Sequence, residues 1–324
     1  MVKKSFVLVL TLVLGMVLSV SVIAKNPIVL RLAENQPENN PVTAADRYFA
    51  ELVKEKTDGN VIVEVYPGAV LGEEVDSIQQ TRAGVIAMAR VNTVPLAQFI
   101  PEVGVFTLPY IFANTDHKWE VLDGPIGNSI LESFEKAGLV GLNYYEAGSR
   151  NFYTTKKPIK SLADLKGQKI RVQPSEISIK MVELLGGAPT PLSYGEVYSA
   201  LQTGVIDGAE NDFVSYYTSS HYEVAKYYTL DGHLSPPAVT IMNKAIFYGL
   251  PEEYQQAILE AAKEAQSFEI EEMLAFEEES KEKVVAAGTQ IFEVDVVEFQ
   301  EAVEPIYDMY PEYSEIIEQI RSLQ

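Results

Sequence analysis

The sequence predicts an α/β protein of two lobes, and three observations carry that expectation. Strand-like runs alternate with helix-length amphipathic stretches from about residue 28 to 185, the pattern of βαβ units with largely parallel sheets. The length of 324 residues suits about two domains, each able to bury its own core. A Glu-rich stretch from about 251 to 286 has no Pro or Gly after Pro251 and reads as one helix. At 1.5 Å per residue it would reach about 50 Å, enough to brace two lobes. No internal repeat and no low-complexity linker separates the lobes, so strand crossings are expected to join them.

The elements follow in order. Residues 28–32 (Ile-Val-Leu-Arg-Leu) read as a strand. A helix is predicted over 41–56, with Pro41 in its first turn and Ala45, Phe49, Leu52 and Val53 on one face. Asp58-Gly59-Asn60 marks a turn, and Val61, Val63 and Val65 alternate as in a strand. A helix near 75–83, a strand at 86–90, a helix near 126–136 and a strand at 140–145 continue the series. Residues 169–172 read as a strand and 176–185 as a helix. Ser193 followed by Glu196, ahead of Val197, Ala200 and Leu201, is a capping box opening a further helix.

The first segment has the form of an export signal. Lys3 and Lys4 precede an apolar run over 6–20, and Val22-Ile23-Ala24 offers compact residues at a cleavage position. Removal after about Ala24 would leave a soluble protein with no membrane insertion of its own. A net charge of −21, with no basic run after the signal, argues against a nucleic-acid partner. The absence of Cys removes disulfides, thiolate metal sites and cysteine nucleophiles. Three His residues are too few for a histidine-rich metal site, so neither metal nor cofactor is expected.

Enzyme motifs are missing as well. There is no Gly-x-Ser-x-Gly elbow, no phosphate-binding Gly-Lys-Ser/Thr loop and no His-Glu-x-x-His. Adjacent acids such as Glu73-Glu74 read as solvated faces in a chain with 46 acidic residues. More informative are the arginines in so acidic a chain. In the strand Lys169-Ile170-Arg171-Val172, alternation sets Arg171 on the face opposite Ile170 and Val172, toward a cleft or solvent. A structural salt bridge and a carboxylate ligand both suit its planar fork.

Arg150, Arg171 and the segment Thr190-Pro191-Leu192-Ser193-Tyr194-Gly195-Glu196-Val197-Tyr198-Ser199-Ala200-Leu201-Gln202-Thr203-Gly204-Val205-Ile206-Asp207-Gly208-Ala209-Glu210-Asn211 resemble a known family. They look like the extracytoplasmic solute receptors of tripartite ATP-independent periplasmic (TRAP) transporters. The resemblance includes Tyr66-Pro67-Gly68, Leu71-Gly72 and Phe106-Thr107-Leu108-Pro109-Tyr110, and it runs along nearly the whole chain after the signal. It implies a two-lobed periplasmic-binding-protein fold with hinge-crossing strands and a long helix spanning both lobes. Lobe I would take residues 25–147 and 237–276, and lobe II residues 148–236 and 277–324, after a signal over 1–24. It also implies a periplasmic monomer that binds an organic acid and delivers it to one small and one large integral-membrane subunit. By the same resemblance Arg171 pairs with the ligand carboxylate, with Arg150 and Asn211 beside it.

Met88-Ala89-Arg90-Val91-Asn92, Gly148-Ser149-Arg150-Asn151-Phe152-Tyr153 and Arg171-Val172-Gln173-Pro174-Ser175 are similar to the branch that binds sugar acids, especially hexuronates. Such a ligand needs one carboxylate clamp and several hydroxyl partners, for which Glu74, Arg90, Asn92 and Asn211 are candidates. Asn35 follows the first strand, Phe213 offers an apolar face to a sugar ring, and His233 is placed at the cleft. The loop Glu34-Asn35-Gln36-Pro37-Glu38-Asn39-Asn40 departs from the branch, at the end of the pocket that would read the sugar. A C4-dicarboxylate or keto acid is the rival ligand, and a sensor for a membrane kinase the rival role. An exported hydrolase or lyase acting on sugar acids is the enzymatic alternative.

Overall fold

A computed structural model describes residues 26–324. The expected export signal lies outside the described residues. Among these, no helix is long and apolar enough to cross a membrane.

Two sheets organise the chain. The first contains β1 (Ile28–Ala33), β2 (Val61–Tyr66), β3 (Met88–Asn92), β4 (Leu139–Tyr145) and β10 (Ala238–Asn243), in the order β2-β1-β3-β10-β4. The second contains β5 (Arg150–Thr154), β6 (Lys169–Val172), β7 (Ala188–Pro191), β8 (Gly208–Asn211), β9 (Tyr227–Leu234) and β11 (Gln290–Glu293), in the order β11-β9-β5-β8-β6-β7. Helices alternate with these strands much as the apolar spacing predicts. The helix Pro41–Lys56 has the predicted bounds, with the Asn40 side chain capping Val42 N. It buries Ala45, Phe49, Leu52 and Val53. Ser193 and Glu196 form the expected capping box, on a short 3₁₀ turn ahead of the helix Val197–Thr203.

The sheets are mixed rather than largely parallel. β1 runs parallel to β2 and β3, and β6 to β7 and β8, but β10 runs antiparallel to both β3 and β4. β5 is likewise antiparallel to β8 and β9. The cause is the double crossing between sheets. The chain leaves the first sheet through β4 into β5 and returns through β9 into β10. An outgoing and a returning strand that pair side by side must oppose one another, so each sheet has an antiparallel seam.

The helix Glu252–Ala286, 35 residues long, ties the two halves together. Its Ile258, Ala262, Ala265 and Met273 share a core with Leu30 and Leu32 of the first sheet and with Phe49 and Val53 of the helix Pro41–Lys56. Toward its other end, Val284 shares a core with Tyr153 and Tyr228 of the second sheet and with Leu201 and Tyr216 of the helices Val197–Thr203 and Phe213–Thr218. A third core joins Val91, Phe106 and Tyr144 to Ile170, Met181 and Val182. The closing helices also reach the first half: the Tyr313 hydroxyl donates to Pro101 O at 2.7 Å, and His117 Nε2 lies 2.9 Å from Ile320 O.

Candidate functional site

Strand ends from both sheets converge on one enclosed space. β1 hands on to Asn35, β3 carries Arg90 and Asn92, and Glu74 opens the helix Glu74–Arg82. From the other sheet, β5 starts at Arg150, β6 carries Arg171 and β8 ends at Asn211. All seven line a space of about 430 Å³, the size of a small-molecule site. Gln36, Gln173, Tyr194 and Asp212 line it too. Arg90, Arg150, Arg171 and Asn211 are all buried, so the lobes are closed over this space.

The three arginines differ in their company. Arg90 Nε donates to Glu34 Oε2 at 2.6 Å, and its Nη2 pairs with Glu34 Oε1 and donates to Asn35 Oδ1 at 3.1 Å. Arg150 Nε pairs with Glu210 Oε2, its Nη2 donates to Glu210 Oε1 at 2.9 Å, and its Nη1 donates to Asn211 Oδ1 at 2.7 Å. Burial opposes both charges, but Glu34 and Glu210 outweigh it and hold each guanidinium above its ordinary pKa. Arg171 is 1% exposed, and its one side-chain hydrogen bond among the described residues runs from Nε to the Leu192 carbonyl at 2.9 Å. Among the described residues it makes no salt bridge. Burial, reinforced by Arg150, holds its pKa below the arginine value. A buried cation without a counter-ion is costly, at several kcal/mol of desolvation penalty. A carboxylate entering the cavity would relieve that cost.

The amides around it are oriented as donors. Asn35 Oδ1 accepts from Arg90, Asn92 Oδ1 from Val94 N at 2.9 Å, and Asn211 Oδ1 from Arg150. Their amide NH₂ groups have no hydrogen-bond partner among the described residues and are left for an acceptor. Glu74 supplies the opposite polarity. Its Oε1 accepts from Asn92 N at 2.7 Å and its Oε2 from Gln173 Nε2 at 3.4 Å. Burial raises its pKa, against the pull of Arg90. The cavity thus presents one unpaired cation, several amide donors and the carboxyl groups of Glu74 and Asp212, a set suited to an anion bearing hydroxyls.

Phe213 and His233 do not line this cavity. The Phe213 ring stacks on Tyr228 with centroids 4.2 Å apart, and it borders a separate, open hollow behind the lobe crossing that also holds Glu277. His233 is fully buried behind the Arg150–Glu210 pair. Its Nδ1 lies 2.6 Å from Asp231 Oδ2, and its ring stacks on Phe152 at 4.2 Å. Burial disfavours its charge, but Asp231 and Glu210 prevail and raise its pKa to about 9. Burial also opposes ionisation of Glu210, which Arg150 and His233 nevertheless hold down to about 2.

Glu34 and Glu210, the acids that hold two of the arginines, were not among the expected site residues. A signal for Glu210 existed, since Gly208-Ala209-Glu210-Asn211 is a short strand whose burial forces a lone acid to face a cation. Glu34 sits one residue beyond β1, where strand alternation no longer fixes direction.

Residues 32–313 match the family described as bacterial extracellular solute-binding protein, family 7. A solute-binding protein of Chromohalobacter salexigens is 39% identical over 321 residues, covering 96% of this chain and 94% of that protein. Among solved structures, a TRAP periplasmic solute-binding protein of Xanthobacter autotrophicus with bound β-D-galacturonate has a TM-score of 0.89 at 39% identity. That match covers 91% of this chain and 100% of the other. One from Pseudomonas putida with bound D-glucuronate has a TM-score of 0.90 at 36% identity, covering 92% and 98%.

Proposed function

The chain belongs to the bacterial extracellular solute-binding protein family 7, and from that premise we propose that it is the solute receptor of a TRAP transporter for a hexuronate. D-Glucuronate and D-galacturonate are the ligands of this reading, because structural neighbours above 35% identity hold them. The observation that carries it is Arg171, a buried guanidinium at the cavity with no counter-ion of its own. In this reading the ligand carboxylate pairs with Arg171 and lies against Arg150, while the hydroxyls meet Asn35, Asn92, Asn211 and Glu74. Glu210 fixes Arg150 in place and Glu34 fixes Arg90. No proton moves and no bond breaks: the protein captures its solute and releases it unchanged.

The lobes of this reading are residues 25–147 with 237–276, and 148–236 with 277–324. Ligand bridges them, so closure gains contacts that the open form lacks. The receptor works outside the cytoplasmic membrane and hands the acid to two integral-membrane subunits. A dicarboxylate fits less well. Its second carboxylate would meet Glu74, and like charges in a buried site repel.

A thermal-shift series on ligand-free protein tests the assignment. A uronate at about 100 times its dissociation constant adds about 2.7 kcal/mol and raises Tm by a few degrees. Stabilisation by succinate or pyruvate, with none by either uronate, would keep the receptor and discard the sugar acid.

A further inference from the structure

The far end of the second sheet is unlike the rest of the molecule. The strand ends that reach the cavity are the start of β5 and the ends of β6 and β8; the opposite pole is built where β5 ends and where β6, β7 and β8 begin. Backbone hydrogen bonds knit the loops there into one surface. Thr155 N donates to Asp207 O at 2.9 Å, Asp207 N to Lys169 O at 2.8 Å, and Gly167 N to Gly186 O at 3.1 Å. These loops carry Lys156, Lys157, Lys160, Lys166 and Lys169, all exposed. Five of the chain's 25 basic residues therefore lie within fourteen consecutive positions, in a protein of net charge −21.

The acids nearby do not cancel them. Asp164 Oδ2 accepts from Lys160 N at 3.0 Å and from the Ser161 hydroxyl at 3.3 Å. Asp207 Oδ2 accepts from Lys169 N at 3.0 Å, and its Oδ1 is 3.8 Å from Lys156 Nζ in a loose, exposed pair. Lys160 Nζ rests 5.0 Å above the Phe292 ring. A hollow of about 680 Å³ opens between Lys156, Lys157 and Lys166. Beside it Val205 is 54% exposed, on the turn that leads into Asp207.

We infer that this lysine pole docks the receptor on an anionic phospholipid surface. The chemistry favours a lipid bilayer over one bound anion. All five cations are lysines, compact charges on flexible stems that suit diffuse attraction, and no arginine fork is set to read a single phosphate. The exposed Val205 offers an apolar contact beside these lysines. Salt confines the repulsion of the distant acids to about 8 Å, so the pole acts locally. Polybasic surfaces bind anionic lipids in this way. The contact lies away from the cavity, so the lobes remain free to open while the protein is held at the membrane. The inference rests on the extracytoplasmic location of the proposed receptor but not on which acid it binds.

Co-sedimentation of residues 25–324 with vesicles tests it. Equal parts phosphatidylglycerol and phosphatidylcholine should retain the protein at about 50 mM salt, pure phosphatidylcholine should not, and about 300 mM salt should release it. A triple variant, Lys156→Glu, Lys157→Glu and Lys166→Glu, should lose retention at least tenfold, and the matching Gln variant should fall between. The thermal shift with D-glucuronate should stay unchanged in both, which separates a lost surface from a lost fold. No retention of the wild type at low salt, or equal retention of the Glu variant, would overturn the proposal. So would release by a few millimolar inorganic phosphate at matched ionic strength, which would mark a free-anion site. Retention on a polyglutamate resin but not on vesicles would assign the pole to an acidic protein instead.

Discussion

Arg171 is the residue on which binding turns. Arg171→Lys keeps a positive charge but loses the planar fork, so uronate affinity should fall more than tenfold by calorimetry, about 1.4 kcal/mol. Two other residues set how stability responds to pH. His233 has its pKa raised to about 9, so its contribution is fully present below about pH 6.5 and is lost as pH rises through 9. Glu277, which no side chain pairs among the described residues, is raised to about 7 by burial and by Asp212 and Glu146. Its neutral form is favoured in the fold, so it too withdraws stability as pH climbs from about 4.5 past 7. Burial lowers the His221 pKa to about 3, and its contribution works the other way up to about pH 6.5, so the fall in Tm is expected between about pH 7 and 9. Glu277→Gln should raise Tm at pH 8 and leave it unchanged at pH 4, read by scanning calorimetry. Much of the site was legible at this scale: Asn35, Glu74, Arg90, Asn92, Arg150, Arg171 and Asn211 come together from six separate elements and their flanks. What was not legible is which charges cancel. Arg150 and Arg171 look alike in sequence, and only the pairing with Glu210 makes one fixed and the other free.

At the scale of elements, apolar periodicity located the helix Pro41–Lys56 and the strand Lys169–Val172 because both are bounded by local signals, a proline, a turn or a glycine. Strand direction carries no such signal. β4 and β10 pair antiparallel because the chain crosses between sheets and returns, which is a property of two segments about a hundred residues apart. The crossing itself depends on Gly148. It sits at φ +69°, and a Cβ there would come within 2.5 Å of the Asp212 Cβ. Gly148→Ala should therefore disfavour the closed arrangement, lowering uronate affinity several-fold and Tm by a few degrees. On the long helix, Ala261, Ala262 and Ala265 are fully buried where it crosses Pro41–Lys56. Ala265→Leu would overfill that crossing and cost about 1–3 kcal/mol in denaturant unfolding.

At the scale of the molecule, the long helix and the double strand crossing leave two lobes that share a third core and close over one polar cavity. The length, the late helix and the absence of enzyme motifs pointed to this whole, while the rear hollow bordered by Phe213 and Glu277 had no trace in the sequence. Its walls come from separate segments spread between Tyr110 and Gln324. A lone buried guanidinium at the meeting of two lobes explains why a carboxylate should draw them together. The most direct test is a calorimetric titration of ligand-free protein with D-glucuronate and, separately, with D-glucose, which differ at the carboxylate alone. Saturable binding of the uronate, with none detectable for glucose, is the predicted result. Equal binding of both sugars would contradict the carboxylate clamp at Arg171.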